Sequence, residues 1–155
     1  METHFMWKRL SVRGEWSMKD QHNMPLATVK RWFSHAEEDL SVARREISAE
    51  RPSFHTICFL CQSAAEKYLK GYLISMGWHL RRTHDLIALL QACSEYGGQW
   101  SDLLEDGAVL NEYAVTGRYP GDLAFESIRA QEASEAVQAA EHIAGRVGEL
   151  FTSHE

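Results

Sequence analysis

From Leu26 onward, apolar residues recur three and four positions apart, the spacing of helices that each bury one face. Val29, Trp32 or Phe33, Ala36, Leu40, Ala43 and Ile47 form one such stripe and predict a first helix from about Leu26 to Ala49. His35, Glu37, Glu38, Arg44 and Arg45 fall on the rest of its circumference and read as a solvated face. Leu86, Leu89, Leu90 and Cys93 predict a further helix from near Thr83, with Gly97-Gly98 as its stop. Thr83 can cap its first N–H groups, and Asp85 suits the positive end of its dipole. Ser101 is expected to cap the next helix, which points Leu103, Leu104, Val109, Leu110 and Tyr113 inward and gives way near Thr116-Gly117. The glycines and proline of Gly117-Arg118-Tyr119-Pro120-Gly121 make that segment a loop. A last helix is expected from about Ser127, with Ala130, Ala133, Val137, Ala140, Ala144, Val147 and Phe151 as its seam. Its alanines permit close approach, within the chain by default, and the same seam would suit a dimer contact.

The stretch from Ser53 to Gly77 breaks this pattern. Arg51-Pro52-Ser53 is a helix start signal with the serine as cap, and no glycine or proline follows until Gly71. At about 100° per residue, Phe54, Ile57, Cys58, Cys61, Ala64, Ala65, Tyr68, Tyr72 and Met76 share one broad face. Phe59, Leu60, Leu73 and Ile74 lie outside it. A helix apolar on most of its circumference is a buried one, so this segment is expected to stand among the others as a central post. The fold class predicted is all-α: an up-and-down bundle of four to five antiparallel helices joined by short loops.

Residues 1–23 do not share the periodicity. Trp7, Leu10, Val12 and Trp16 are scattered among charges and Gly14 interrupts them, which reads as a weakly ordered extension or an upstream start, with Met18 and Met24 as alternative starts. Residues 24–155 are then one helical domain, a size that suits a single core. No apolar run reaches the ~20 residues of a membrane span. Charges interrupt Met1 to Asp20, unlike the apolar core of a signal peptide. Three cysteines without paired spacing suit free thiols, so the expected compartment is the cytoplasm.

Charge changes the picture at one place. The chain carries a formal net charge of −6, which argues against a face-wide attraction to nucleic acid or anionic membrane. From Arg51 to Arg82, however, five lysines and arginines face a single acid, Glu66, whereas from Thr83 to Glu155 thirteen acids outnumber three bases. The basic zone thus falls on the most buried helix. Within it Gln62, Glu66 and Lys70 recur every four residues as a polar row flanked by Leu69 and Leu73, with Lys67 as a second cation nearby. The donor-rich segment His79-Leu80-Arg81-Arg82-Thr83-His84-Asp85 follows directly.

Three motifs carry a resemblance. Cys61-Gln62-Ser63-Ala64-Ala65-Glu66-Lys67-Tyr68-Leu69-Lys70-Gly71-Tyr72-Leu73, then Thr83-His84-Asp85-Leu86, then Arg118-Tyr119-Pro120, resemble the prokaryotic HEPN domain in the family's order. More narrowly, the chain is similar to the small stand-alone members encoded beside minimal nucleotidyltransferases, over roughly Leu26 to Leu150. The resemblance implies an all-α bundle, usually a homodimer, associated with nucleotide or RNA chemistry. It also implies a nucleotidyltransferase partner in a toxin–antitoxin-type module.

The chemistry reads as follows. Arg81, Arg82, Thr83 and His84 lead into a helix N-terminus, and oriented N–H groups with guanidinium donors are what a phosphate needs. Together with Lys70, Arg118 and Tyr119 they form the candidate nucleotide- or phosphate-binding set, supported by a polar pocket of Gln62, Glu66 and Asp85. An alternative for Glu66 is simple pairing with Lys70, because an unpaired buried carboxylate is costly. Cys58 and Cys61, with only Cys93 to join them, fall short of the four ligands zinc wants and read as core; no metal or cofactor is expected.

In one respect the chain departs from the family. HEPN ribonucleases carry an arginine followed, after four to six residues, by a histidine, but Arg118 is followed by no histidine until His142. Arg51 with His55, and Arg146 with His154, have the wrong spacing or place. Two further readings therefore stand beside phosphate binding. One is an RNA-cleaving toxin with His84 as catalytic residue, working with Arg118 or Arg82. The other is a purely structural dimeric adaptor whose polar row fixes helix register.

Overall fold

A computed structural model describes residues 26–115 and 126–153. Among them are five α-helices and no strand: α1 (Leu26–Glu46), α2 (Phe54–Ser75), α3 (Leu86–Glu95), α4 (Leu104–Val115) and α5 (Ala130–Ser153). A single 3-10 turn, Ser101–Leu103, leads into α4. The expected extension at residues 1–23, with Trp7 and Trp16, lies outside the described residues, as does the loop carrying Arg118, Tyr119 and Pro120.

The post is α2, which contacts each of the other four helices. Thirteen of its residues are buried, including Cys58, Ala65, Tyr68 and Leu73 and the polar Gln62 and Lys70. This is the all-α up-and-down bundle expected from the sequence. At Gly71 α1 comes close. A Cβ there would sit 2.8 Å from Phe33 Cε1 and 3.0 Å from Trp32 Cβ, so the missing side chain lets the two helices touch.

Most stripes match the sequence pattern. Val29, Phe33, Ala36, Leu40 and Ala43 bury the inner side of α1, which settles the ambiguity at 32 and 33 for Phe33; Trp32 is half-buried beside it. Leu86, Leu89, Leu90 and Cys93 bury α3. Gly97 and Gly98 take positive φ (88° and 85°), turning the chain so that Trp100 packs on Tyr72 with ring centroids 5.0 Å apart. The last seam is rotated from the expected one. Ala133, Ala136, Ala140, Ile143, Ala144, Val147 and Phe151 are buried, whereas Ala130 is exposed and Val137 only half-buried.

Three helix starts differ in detail. Ser53 occupies the N-cap of α2, but its hydroxyl pairs with Thr56 Oγ1 at 2.8 Å rather than with a backbone N–H. Helix α3 begins at Leu86, not Thr83: Asp85 is its cap and accepts from the Ile87 and Ala88 N–H groups. Thr83 instead accepts the Asp85 N–H at 3.2 Å, which sets the approach to the cap. Ser101 is not a cap either; it opens the 3-10 turn, one turn before α4.

Candidate functional site

The polar row on α2 closes around one carboxylate. Glu66 accepts from Lys70 Nζ at 2.7 Å, from Gln62 Nε2 at 3.1 Å and from His84 Nδ1 at 2.9 Å. The Gln62 amide also lies 3.5 Å from the His84 carbonyl. The i, i+4 spacing of α2 stacks Gln62, Glu66 and Lys70 on one face, and the chain returning after α2 lays His84 across them. The Lys70 and Glu66 side chains are 6% and 13% exposed, while that of His84 is 66% exposed. Burial alone would raise the Glu66 carboxyl, but the bonds from Lys70, His84 and Gln62 outweigh it and hold the group below its ordinary value. Glu66 is thus an anion with its lone pairs taken from three sides.

For His84 this fixes a tautomer. A carboxylate only accepts, so Nδ1 is the donor, and a neutral imidazole then keeps Nε2 as a free acceptor on an exposed ring. For Lys70 it removes a ligand: the ammonium is committed to Glu66 beneath the surface, so its effect on the site is to hold the carboxylate.

The start of α3 turns out to be less open to anions than its sequence suggests. Leu86 N–H donates to Asn111 Oδ1 at 2.7 Å, and Asp85 Oδ1 takes the next two N–H groups. Asn111 Nδ2 in turn donates to Asp85 Oδ1 at 2.9 Å. That bond, with the two backbone donors, lowers the Asp85 carboxyl against a small burial cost. The helix end is therefore closed by its own carboxylate. The remaining donors are side chains: those of Arg81 and Arg82 are exposed and bond to nothing among the described residues, and Thr83 is spent on its turn. Asn111 had no place in the sequence reading; the one signal for it was an asparagine within an otherwise helical run, where that residue is disfavoured unless its amide is used.

Two further networks join helices. Arg44 forms a fork on Glu141 of α5, with Nη2 to Oε2 at 2.8 Å, and reaches Glu37 at 3.0 Å; Tyr68 donates to the other Glu37 oxygen at 2.7 Å. Glu37 and Arg44 are therefore half-buried tie-points of α1, α2 and α5 and not part of a solvated face. On the other flank, Asp39 accepts from Ser63 at 2.8 Å and from Lys67 at 2.5 Å. Lys67 thus faces α1 and is no second cation beside Lys70. Cys58, Cys61 and Cys93 are buried, and burial raises all three thiols, that of Cys58 to about 11, so they remain protonated core groups.

Of the candidate set, then, the fold gathers Gln62, Glu66, Lys70 and His84 in one cluster and leaves Arg81 and Arg82 exposed on the segment leading to it. Asp85 belongs to the cap of α3. Arg118 and Tyr119 lie outside the described residues. Among those residues no helix is long and apolar enough to cross a membrane.

Comparison with known proteins gives a consistent answer. The family model described as the HEPN domain matches residues 29–150. The crystal structure of a protein from Thermus thermophilus is similar at 27% identity and a TM-score of 0.68, covering 78% of this chain and 96% of its own. The crystal structure of an archaeal HEPN homologue is similar at 28% identity and a TM-score of 0.63, covering 77% and 93%. No curated protein matches the chain.

Proposed function

Because the chain belongs to the HEPN family, we propose that it binds a nucleotide or the phosphate of an RNA through Arg81, Arg82 and His84, with Arg118 and Tyr119 completing the site. In this reading it works in the cytoplasm as a homodimer and pairs with a nucleotidyltransferase subunit in a toxin–antitoxin-type module. The observation that carries the reading is the Glu66 cluster. A carboxylate held by Lys70 and Gln62 orients the His84 ring at the surface, next in the chain to two arginines whose side chains bond to nothing among the described residues. Those guanidinium groups are suited to phosphate oxygens, and their local charge counters the unfavourable net charge of the protein.

The same dyad supports a second reading, RNA cleavage. A carboxylate that accepts from Nδ1 leaves Nε2 able to take a proton from a ribose hydroxyl, with Arg82 or Arg118 to stabilise charge on the phosphate. The arrangement differs from the arginine-to-histidine spacing of HEPN ribonucleases.

One titration series tests both. ATP and a short single-stranded RNA are titrated into the wild type and Arg82→Ala, with RNA length followed on a gel. Loss of one charge-assisted contact should weaken binding by about 1–3 kcal/mol, and wild-type binding should fall as salt rises. Equal affinity in both proteins would remove Arg82 from the site. Cleavage that survives His84→Ala in a folded protein would end the second reading.

A further inference from the structure

A groove of about 600 Å³ runs between α1 and α2, lined by Thr28, Arg31, Trp32, His35 and Lys67. We propose that it is a separate binding site for a small anion that carries a planar aromatic ring. None of its five residues belongs to the set assigned to phosphate above, and the inference stands independently of that reading.

The groove follows from the helix geometry. Positions 28, 31, 32 and 35 recur at i, i+3, i+4 and i+7, so they share one side of α1, next to the buried stripe of Val29, Phe33 and Ala36. Gly71 admits α1 closely enough for the Trp32 Cβ to lie at the α2 backbone. Lys67, about 100° around α2 from Glu66, then reaches the same space.

The lining chemistry is unlike the rest of this acidic protein. It combines a guanidinium, an ammonium, an imidazole and a hydroxyl with an indole, and includes no acid. Lys67 is held by Asp39, one turn beyond His35, so its stem is fixed in place. The side chains of Arg31 and His35 are exposed and bond to nothing among the described residues, so none of those residues takes their donors. This is the reverse of the α3 N-terminus, whose donors are all taken.

Cations and N–H donors beside an aromatic wall select a ligand with both an anionic group and a flat ring. The ring lies against Trp32, and the anion meets Arg31 and His35, with Lys67, paired to Asp39, as a fixed part of the wall. The groove is of the size that holds one small molecule, near that of a nucleotide.

The test is calorimetric titration of the full chain with ATP, which has both parts, and with tripolyphosphate and adenosine, which have one each. ATP should bind most tightly, and Arg31→Ala should weaken it at least about tenfold, the factor that corresponds to about 1.4 kcal/mol. His35→Ala should act in the same direction. Both residues are exposed, so the variants keep the fold, and a circular dichroism spectrum checks this. In an Arg82→Ala background, where the site assigned to phosphate above is weakened, Arg31→Ala should still cost about tenfold. If ATP binding is lost in Arg82→Ala but intact in Arg31→Ala and His35→Ala, the groove is overturned and the Arg82 site stands. If tripolyphosphate binds as tightly as ATP, the aromatic wall plays no part and the proposed ligand class is wrong. No binding of any of the three overturns the groove site.

Discussion

Removing the carboxylate of Glu66 should expose how the polar row is held. In Glu66→Ala the Lys70 ammonium, on a side chain only 6% exposed, loses its acceptor, and the Gln62 amide loses its partner 3.1 Å away. Breaking a buried pair from one side costs about 3–5 kcal/mol. Here the carboxylate opens toward an exposed histidine, and the lysine stem is long enough to reach for water, so the expected loss is about 2–3 kcal/mol. Urea unfolding followed by far-ultraviolet circular dichroism reads this as a lower midpoint with an unchanged slope. The double variant Glu66→Leu with Lys70→Met replaces the pair by apolar bulk and should lose clearly less than the sum of the single variants. The folded carboxyl lies below its ordinary value, so its stabilisation is present above the unfolded value of about 4.3 and disappears as pH falls through the folded one. The gap between wild type and Glu66→Ala should therefore narrow below about pH 4. A single-variant loss under about 0.5 kcal/mol, or strict additivity in the double variant, would refute the view of the row as a mutually dependent buried cluster.

Two other substitutions probe the frame around the site. Gly71→Ala should destabilise by about 1–3 kcal/mol despite alanine's better helix propensity, because its methyl meets Phe33 and Trp32; a stabilised variant in thermal melts would contradict the close approach of α1. Asp85→Ala should cost about 1–2 kcal/mol through loss of the α3 cap, and amide exchange should rise selectively in α3; uniform exchange across the bundle would argue against a local cap.

The fold was legible because burial dictates period. A helix apolar on most of its circumference could only be a central one, and Leu86, Leu89, Leu90 and Cys93 had one plausible face. Alanine-rich α5 was read a fraction of a turn out, since alanine at Ala130 and Ala133 gives the pattern little contrast and only packing distinguishes them. In the site, the spacing of Gln62, Glu66 and Lys70 foretold the row and its internal pairing, because i, i+4 neighbours meet on any helix. What spacing could not foretell was long-range. That His84 lies on Glu66, that Asn111 comes from α4 to close α3, and that Glu37 and Arg44 turn inward toward Glu141 all depend on contacts between segments far apart in the chain. Lys67 shows the same limit, being adjacent to Glu66 in sequence but committed to a different helix.

The Arg44 fork has a bearing on how this protein can be divided. Its guanidinium belongs to the first helix and its partner Glu141 to the last, and the hydroxyl of Tyr68, through Glu37, ties the first to the middle. Cutting the chain anywhere between α2 and α5 would leave one fragment with a half-buried cation and the other with a stranded carboxylate, in addition to the opened seam of Ala133 to Phe151. Neither the leading helix pair nor the trailing helix is then a self-sufficient module. The bundle can be borrowed, fused or transplanted only whole.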